Sequence, residues 1–468
     1  MTSYSVAWRA ETELLAREHL LQHYERGELQ EDIALATWYP ADGTNRRTAI
    51  IDEVLLPTAD ERILQGNVQL TPQFLRRGRD RAVSKGAGLA VMHNHFGPGW
   101  QHMSADDVIM ESRSVSNPAR ATQLPVVGLT LGTDGTWSAR FWIREGSTYD
   151  CRWCSTIRII SPDHLSLQFN PQLFRPVRSD DGLGRFRRSI EAWGADSQEL
   201  LGRLTVGIVG LGSVGALAAE TMGRMGIRGL VLVDMDRIEH HNLDRLLHSG
   251  PSDVGRYKVQ LSAEHLARIT TKEFHDLRAL PLSLRDTRAY RAIADCDVIL
   301  GCADKPVARD LLNHLAVCHL IPVIEAGVAL RSRHGALHKG HVVSQIVTPD
   351  SRCLRCTRQY TTDLLSLEVE GLLEDPEYIQ ALPSHQRPNT ANVFPASLSA
   401  ASMQAALFTR LLLGPHWWLR VYQQQYHLSV ASQRTASATC DPYCDVHARR
   451  CLGNLGEPQW LLWPPDSS

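Results

Sequence analysis

Short apolar runs separated by polar turns dominate the first third of the chain. Residues 33–39 (IALATWY), 49–56 (AIIDEVLL) and 88–95 (GLAVMHNH) are of strand length and rich in β-branched or large apolar residues. Two further runs, 126–132 (VVGLTLG) and 137–143 (WSARFWI), flank the turn-forming Thr133-Asp134-Gly135. Residues 5–25 read as a helix whose polar face carries Arg9, Glu11 and Glu13. Strands mixed with a few helices predict an α+β domain over residues 1–168. Residues 169–184, rich in Pro, Gly and charge, read as a linker. From residue 203 the texture changes to strand–helix alternation: LTVGIVGLG, a helix at 213–225, GLVLVDMD, a helix at 254–269, then CDVILGCAD and PVIEAGV. That alternation predicts an α/β, Rossmann-like domain over 185–468 with a mostly parallel sheet.

Length agrees with more than one core, since 468 residues exceed the usual single domain of about 100–200. A net charge of −2 gives no bulk attraction to nucleic acid or anionic lipid, although Arg185, Arg187 and Arg188 could form a local basic patch. No apolar stretch approaches the roughly 18 residues needed to cross a bilayer, and the charged first twenty residues do not resemble a secretory signal. A cytoplasmic location is therefore expected. Four of the ten cysteines fall in two close pairs, Cys353/Cys356 and Cys440/Cys444, a spacing that suggests metal more than disulfide in a reducing compartment.

The run 205–209 (TVGIV) leads directly into Gly210-Leu-Gly212-Ser-Val-Gly215 at a helix start. Glycines there permit a tight turn and close approach of phosphate, and a helix N-terminus offers unpaired N–H groups to an anion. Asp234, at the end of the next strand, can accept hydrogen bonds from ribose hydroxyls. The glycines alone would suit a dinucleotide dehydrogenase, but the residues that follow would then be unexplained. Asp234-Met-Asp236 is followed by Asn242-Leu-Asp-Arg245, Lys258 and Asp304, with Arg185-Phe-Arg-Arg188 upstream.

This pattern, across roughly 183–455, resembles the ThiF/MoeB/HesA and ubiquitin-activating family. It departs at Ser189, where glutamine is usual, and at Asp304-Lys305, where Asp-Asn is usual. The resemblance implies ATP-dependent adenylation of a carboxylate. Arg245 and Lys258 would face phosphates, Asn242 would position them and Asp234 would hold ribose, with Asp236 in the same nucleotide set. Asp304 would bind Mg²⁺, and Arg188 would act as an arginine finger, in one version from the other subunit of a homodimer. Many members carry a structural zinc on two cysteine pairs, which assigns Zn²⁺ to Cys353, Cys356, Cys440 and Cys444, with His447 and Cys451 in reserve. No cysteine lies between Cys356 and Cys440, where thioester-forming members often place the nucleophile. Either Cys302, Cys318 or Cys451 substitutes, or the adenylate passes directly to an outside nucleophile.

In the first domain, His93-Asn-His95 followed by Ser104-Ala-Asp-Asp107 resembles the JAMM (JAB) metallopeptidase motif. That implies zinc on His93, His95 and Asp107, with Ser104 stabilising an oxyanion and Glu31 as general base, Glu53 being the alternative. The connecting loop is one residue longer than typical and contains His102, a competing ligand. Cys151 and Cys154 could form a further metal pair.

Together the motifs imply a two-headed enzyme acting on a ubiquitin-like or sulfur-carrier (β-grasp) protein. One domain would trim its tail and the other would adenylate the exposed terminal glycine, with a downstream conjugating or sulfur-transfer protein as a further partner. The competing reading is adenylation of a peptide or small molecule, with the first domain an inactive docking module.

Overall fold

The computed structural model describes residues 2–174, 184–270, 276–334, 336–381, 391–414, 421–428, 430–436 and 439–458. Most of the expected linker, residues 175–183, lies outside them.

The first half is built on strands β1 (Ser3–Arg9), β2 (Ile33–Asp42), β3 (Arg46–Leu55), β4 (Arg62–Gln65), β5 (Asn67–Leu70), β6 (Gly88–Asn94), β7 (Val126–Leu131), β8 (Trp137–Glu145), β9 (Thr148–Trp153), β10 (Thr156–Ile160) and β11 (Leu165–Phe169). Nine of them form one mixed sheet in the order β11-β10-β1-β3-β2-β6-β7-β8-β9, and β4 and β5 make a separate hairpin. Helix α1 (Ala10–Glu25) packs on the sheet, and the Trp137 indole donates 2.8 Å to its buried Glu13. Helix α2 spans Ala105–Ser114.

The expected helix over 5–25 begins only at Ala10. Its first five residues are the end of a strand, because Val6, Ala7 and Trp8 are fully buried between parallel neighbours β3 and β10. A strand buried on both faces loses the period-two alternation that would have marked it.

The second half is a doubly wound sheet. Strands β12 (Thr205–Val209), β13 (Gly229–Val233), β14 (Asp276–Leu280), β15 (Val298–Gly301) and β16 (Val323–Arg333) run parallel in the order β14-β13-β12-β15-β16. Strands β17 (Ala336–Val347), β18 (Gln423–His427) and β19 (Ser432–Ala436) extend it antiparallel. Its helices include α3 (Ser213–Met225), α4 (Lys258–Ile269), α5 (Pro306–Val317) and α6 (Phe394–Leu413).

Helix α4 begins four residues later than its hydrophobic pattern suggests. Pro251–Asp253 form a short 3-10 turn, Gly255 takes φ +90°, and the Lys258 N–H donates to the Asp236 carbonyl. Helix α6 is long and apolar enough by composition to cross a bilayer. It packs on the sheet instead, and its buried Gln404 donates to the carbonyls of Gly301 (3.1 Å) and Ile324 (2.6 Å).

A polar seam joins the halves. Asp295 accepts from the backbone N–H groups of Asn45 (2.9 Å) and Arg46 (3.0 Å), while Asp297 pairs with the Arg46 guanidinium at 2.7 Å. Arg291 donates to the Asp42 carbonyl and pairs with Glu457. Arg158 is buried there beside Arg46, and burial pulls its guanidinium down to about 10. Unpairing any one of these groups would strand a buried charge, so the seam is directional as well as adhesive.

Candidate functional site

In a doubly wound sheet the ligand crevice opens at the carboxyl ends of the strands where the order reverses, here between β12 and β15. A cavity of about 360 Å³ lies there, within the usual size for a small-molecule site. The glycines after β12 make it possible. Gly210 has φ +89°, and a Cβ there would meet the Cys302 backbone at 2.8 Å. At Gly215 a Cβ would sit 1.8 Å from the Gly210 carbonyl oxygen, so only glycine lets α3 start so close to β12. At Gly212, which caps α3, a Cβ would meet nothing within 4 Å. That open volume at a helix N-terminus is where a phosphate group fits.

The other expected nucleotide residues line the same cavity. These are Asp234, Asp236, Asn242, Arg245, Lys258 and Asp304. Asp234 accepts from the backbone N–H groups of Leu211 (2.5 Å) and Asp236 (2.7 Å), fastening the glycine loop to the end of β13; burial raises its carboxyl. Lys258 Nζ lies 2.8 Å from Asp236, and Arg245 pairs with Asp244 at 2.7 Å, so both cations rest on exposed carboxylates that a phosphate could replace. Asn242 uses Oδ1 to accept the Glu239 N–H at 3.1 Å, which commits that end of the amide to holding its own loop. The Asp304 carboxylate has no hydrogen bond among the described residues and faces the cavity, as an oxygen ligand for hydrated Mg²⁺ should. Arg188 is elsewhere: its side chain is 90% exposed and pairs with Glu191 at 2.9 Å. In this chain it does not reach the cavity.

Several cavity residues carry no signal in the sequence. Arg309, on the first turns of α5, lines the cavity and donates 2.9 Å to fully buried Glu325, whose carboxyl is raised by burial. Ser213 receives hydrogen bonds from Asn392 (3.0 Å) and Ser397 (2.8 Å), far along the chain. Arg309 could have been suspected from its place one turn beyond Asp304. The Ser213 partners could not.

The alternative thiol nucleophiles fare poorly. Cys302 borders the cavity, but burial pushes its thiol strongly up. Cys318 and Cys451 are buried, each pushed up to about 12, and neither lines the cavity. A thiolate at neutral pH is disfavoured at all three.

The two cysteine pairs converge. The sulfurs of Cys353, Cys356, Cys440 and Cys444 lie within 4.8 Å of one another, with Cys353 and Cys444 at 3.7 Å. A tetrahedron with metal–sulfur bonds of about 2.3 Å has edges of about 3.8 Å, so the donor set and spacing fit zinc. The extra residue in the second pair does not prevent convergence. His447 is not a spare ligand, since its Nε2 lies 3.0 Å from the Ser351 carbonyl, and Cys451 belongs to a separate core cluster.

In the first half, His93 and His95 at the end of β6 meet Asp107 on the first turn of α2. His93 Nε2 is 3.2 Å from His95 Nε2 and 3.3 Å from Asp107, and His95 Nε2 is 3.1 Å from Asp107. Two imidazole nitrogens facing each other can share only one proton, and all three separations are close to the edge of a tetrahedron around a metal with bonds of about 2.1 Å. Ser104 caps α2, its hydroxyl accepting the Asp107 N–H at 3.1 Å. Glu31 precedes β2, whose first residue Ile33 pairs with His93. Burial raises its carboxyl while the two histidines lower it, which puts it in electrostatic reach of the triad. Glu53, the alternative, pairs with Arg81 and Lys85. His102 packs on Trp153 instead of joining the triad. Cys151 and Cys154 are not part of any metal-competent cluster among the described residues, and Cys154 belongs to the core. Sequence reasoning missed the lock behind Glu31: the Asp32 N–H donates to Asn94 at 2.7 Å, and Arg62 pairs with the Asp32 carboxylate.

The triad lies where Ile33 pairs with His93, whereas the seam lies at the other end of β2, nine residues or roughly 30 Å away. The nucleotide cavity lies past Gly301, at the end of β15 opposite the seam residues Asp295 and Asp297.

A family model described as "ThiF family" matches residues 186–446. That span is more than half of the chain, and the chain belongs to the ThiF family. Among its curated relatives, molybdopterin-synthase adenylyltransferase of Escherichia coli is 26% identical over 230 residues, covering 46% of this chain and 88% of the relative. SAMP-activating enzyme E1 of Haloferax volcanii is 29% identical over 178 residues, covering 37% of this chain and 61% of that protein. A crystal structure of Escherichia coli MccB with MccA-N7isoASN covers 56% of this chain and 74% of its own, at 19% identity and a TM-score of 0.43.

Proposed function

We propose that the second half adenylates the C-terminal carboxylate of a ubiquitin-like or sulfur-carrier protein, and that the first half is a JAMM-type zinc peptidase acting on the same carrier. The observation that carries the first claim is the gathering of Lys258, Arg245, Asp234 and Asp304 around the open volume at Gly212. The similarity to a molybdopterin-synthase adenylyltransferase and a SAMP-activating enzyme E1 supports the choice of substrate.

In this reading ATP lies with its ribose at Asp234 and its phosphates over the N-terminus of α3. Lys258 and Arg245 leave Asp236 and Asp244 for the phosphate oxygens, lowering the repulsion between two anions. The carrier's terminal carboxylate oxygen attacks the α-phosphorus, the bond to the bridging oxygen breaks, and pyrophosphate departs. Asp304 would hold Mg²⁺, which would supply charge neutralisation for the departing group. Arg188 takes part only if a partner subunit supplies it, so the proposal includes a homodimer. Because Cys302, Cys318 and Cys451 are poor thiolates, the acyl adenylate passes directly to an outside nucleophile, with no enzyme thioester.

For the first half, a zinc ion on His93, His95 and Asp107 would supply Lewis acidity. Glu31 would hold the proton exchanged during hydrolysis, and the Ser104 hydroxyl would donate to the developing oxyanion. Both activities are assigned to the cytoplasm.

The test is ATP–pyrophosphate exchange with a β-grasp carrier, comparing wild type with Asp304→Ala. Exchange that requires the terminal glycine and disappears in the variant is expected. ATP binding without exchange on any carrier would move the substrate to a peptide or small molecule.

A further inference from the structure

Outside both sites, three side chains from separate elements converge on the surface of the second half. Glu220 projects from α3, His265 from α4, and His248 from the loop between β13 and α4. The two imidazole rings stack with centroids 3.3 Å apart and planes 17° apart. Both Nε2 atoms address the same carboxylate oxygen, Glu220 Oε2, at 3.3 Å from His248 and 2.5 Å from His265. The other oxygen, Oε1, is held by Arg224 at 2.5 Å, which aims Oε2 at the histidines. His248 adopts φ +65°, a left-handed conformation uncommon for a residue with a Cβ. That turn brings its ring back over His265.

We propose that Glu220, His248 and His265 form a binding site for a divalent transition metal, zinc in the first instance. Two imidazole nitrogens and one carboxylate oxygen are the ligands such ions select. All three ligand atoms lie within 4.8 Å of one another, and the side chains remain partly exposed, leaving room for water in the outer coordination positions.

The ion would act as an external clip on the nucleotide cavity. Each of the three elements carries a cavity residue at its other end: Gly212 caps α3, Lys258 begins α4, and Arg245 stands three residues before His248. Joining them outside the cavity limits their relative movement without touching ATP.

The test counts zinc bound per chain in the full-length protein after equilibration with zinc and gel filtration. Wild type is compared with His248→Gly and His265→Ala. Glycine adopts φ +65° without strain, so His248→Gly removes a ligand while relieving the backbone. Cobalt substitution supplies a second reading, since the thiolate charge-transfer band of the four-cysteine site reports that the second half remains folded. One fewer zinc per chain in both variants, with the thiolate band unchanged, is expected. An unchanged zinc count in His248→Gly overturns the proposal, whatever His265→Ala does.

Discussion

The glycine loop makes opposite demands at two positions three residues apart, and substituting each by alanine separates phosphate binding from folding. Gly212 has φ −69° and ψ −161°, an extended conformation open to any residue, with open space where a side chain would go. Gly212→Ala should therefore fold normally, or gain about 0.5 kcal/mol from a less flexible unfolded chain. Its methyl group would occupy the place of a phosphate oxygen at the N-terminus of α3. Losing one charge-assisted hydrogen bond there, about 1.5–3 kcal/mol, weakens ATP binding on the order of 10- to 100-fold. Gly215→Ala should do the reverse in kind. Its Cβ would sit 1.8 Å from the Gly210 carbonyl oxygen, and backbone atoms would have to move, at a cost of about 1–3 kcal/mol or more. Urea unfolding gives the stabilities and calorimetric titration with ATP gives the affinities. ATP affinity unchanged in Gly212→Ala, or wild-type stability in Gly215→Ala, would refute this account of the loop.

Three further outcomes are expected. Lys258→Ala should weaken ATP binding while leaving thermal stability nearly unchanged, because its partner Asp236 is half exposed and rehydrates readily; isothermal titration and a melting curve decide this. Cys353→Ser should release one zinc and lower the melting temperature, since that ion ties the segment after β17 to the residues near the C-terminus. Burial alone would raise the Asp32 carboxyl, but hydrogen bonds from His19 and Arg62 hold it down to about 2. A carboxyl depressed in the folded state stabilises above its unfolded value near 4 and loses that contribution as pH falls toward 2, here about 2.5 kcal/mol. The stability gap between wild type and Asp32→Asn should therefore shrink between pH 5 and pH 2, and a constant gap in acid unfolding would contradict the assignment.

Much of this protein is written in local sequence. The loop from Gly210 to Gly215 and its position between a strand and a helix follow from glycine spacing and hydrophobic periodicity, which depend on near neighbours alone. The pairs Cys353/Cys356 and Cys440/Cys444 and the triad His93, His95 and Asp107 were likewise legible, because metal ligands cluster in recognisable spacings.

What sequence could not supply depends on contacts between distant segments. Strand β1 looked helical because burial on both faces erased its alternation. Whether Glu31 or Glu53 stands near the triad was decided by the pairing of Ile33 with His93, and the exclusion of His447 by its contact with the Ser351 carbonyl. Arg309, Asn392 and Ser397 enter the nucleotide site only because α5 and α6 pack beside β15 and α3. The joining of the two halves at Asp295 and Asp297 is likewise something no local motif encodes. Local pattern specifies which chemistry each segment can offer; long-range packing decides which of those groups meet.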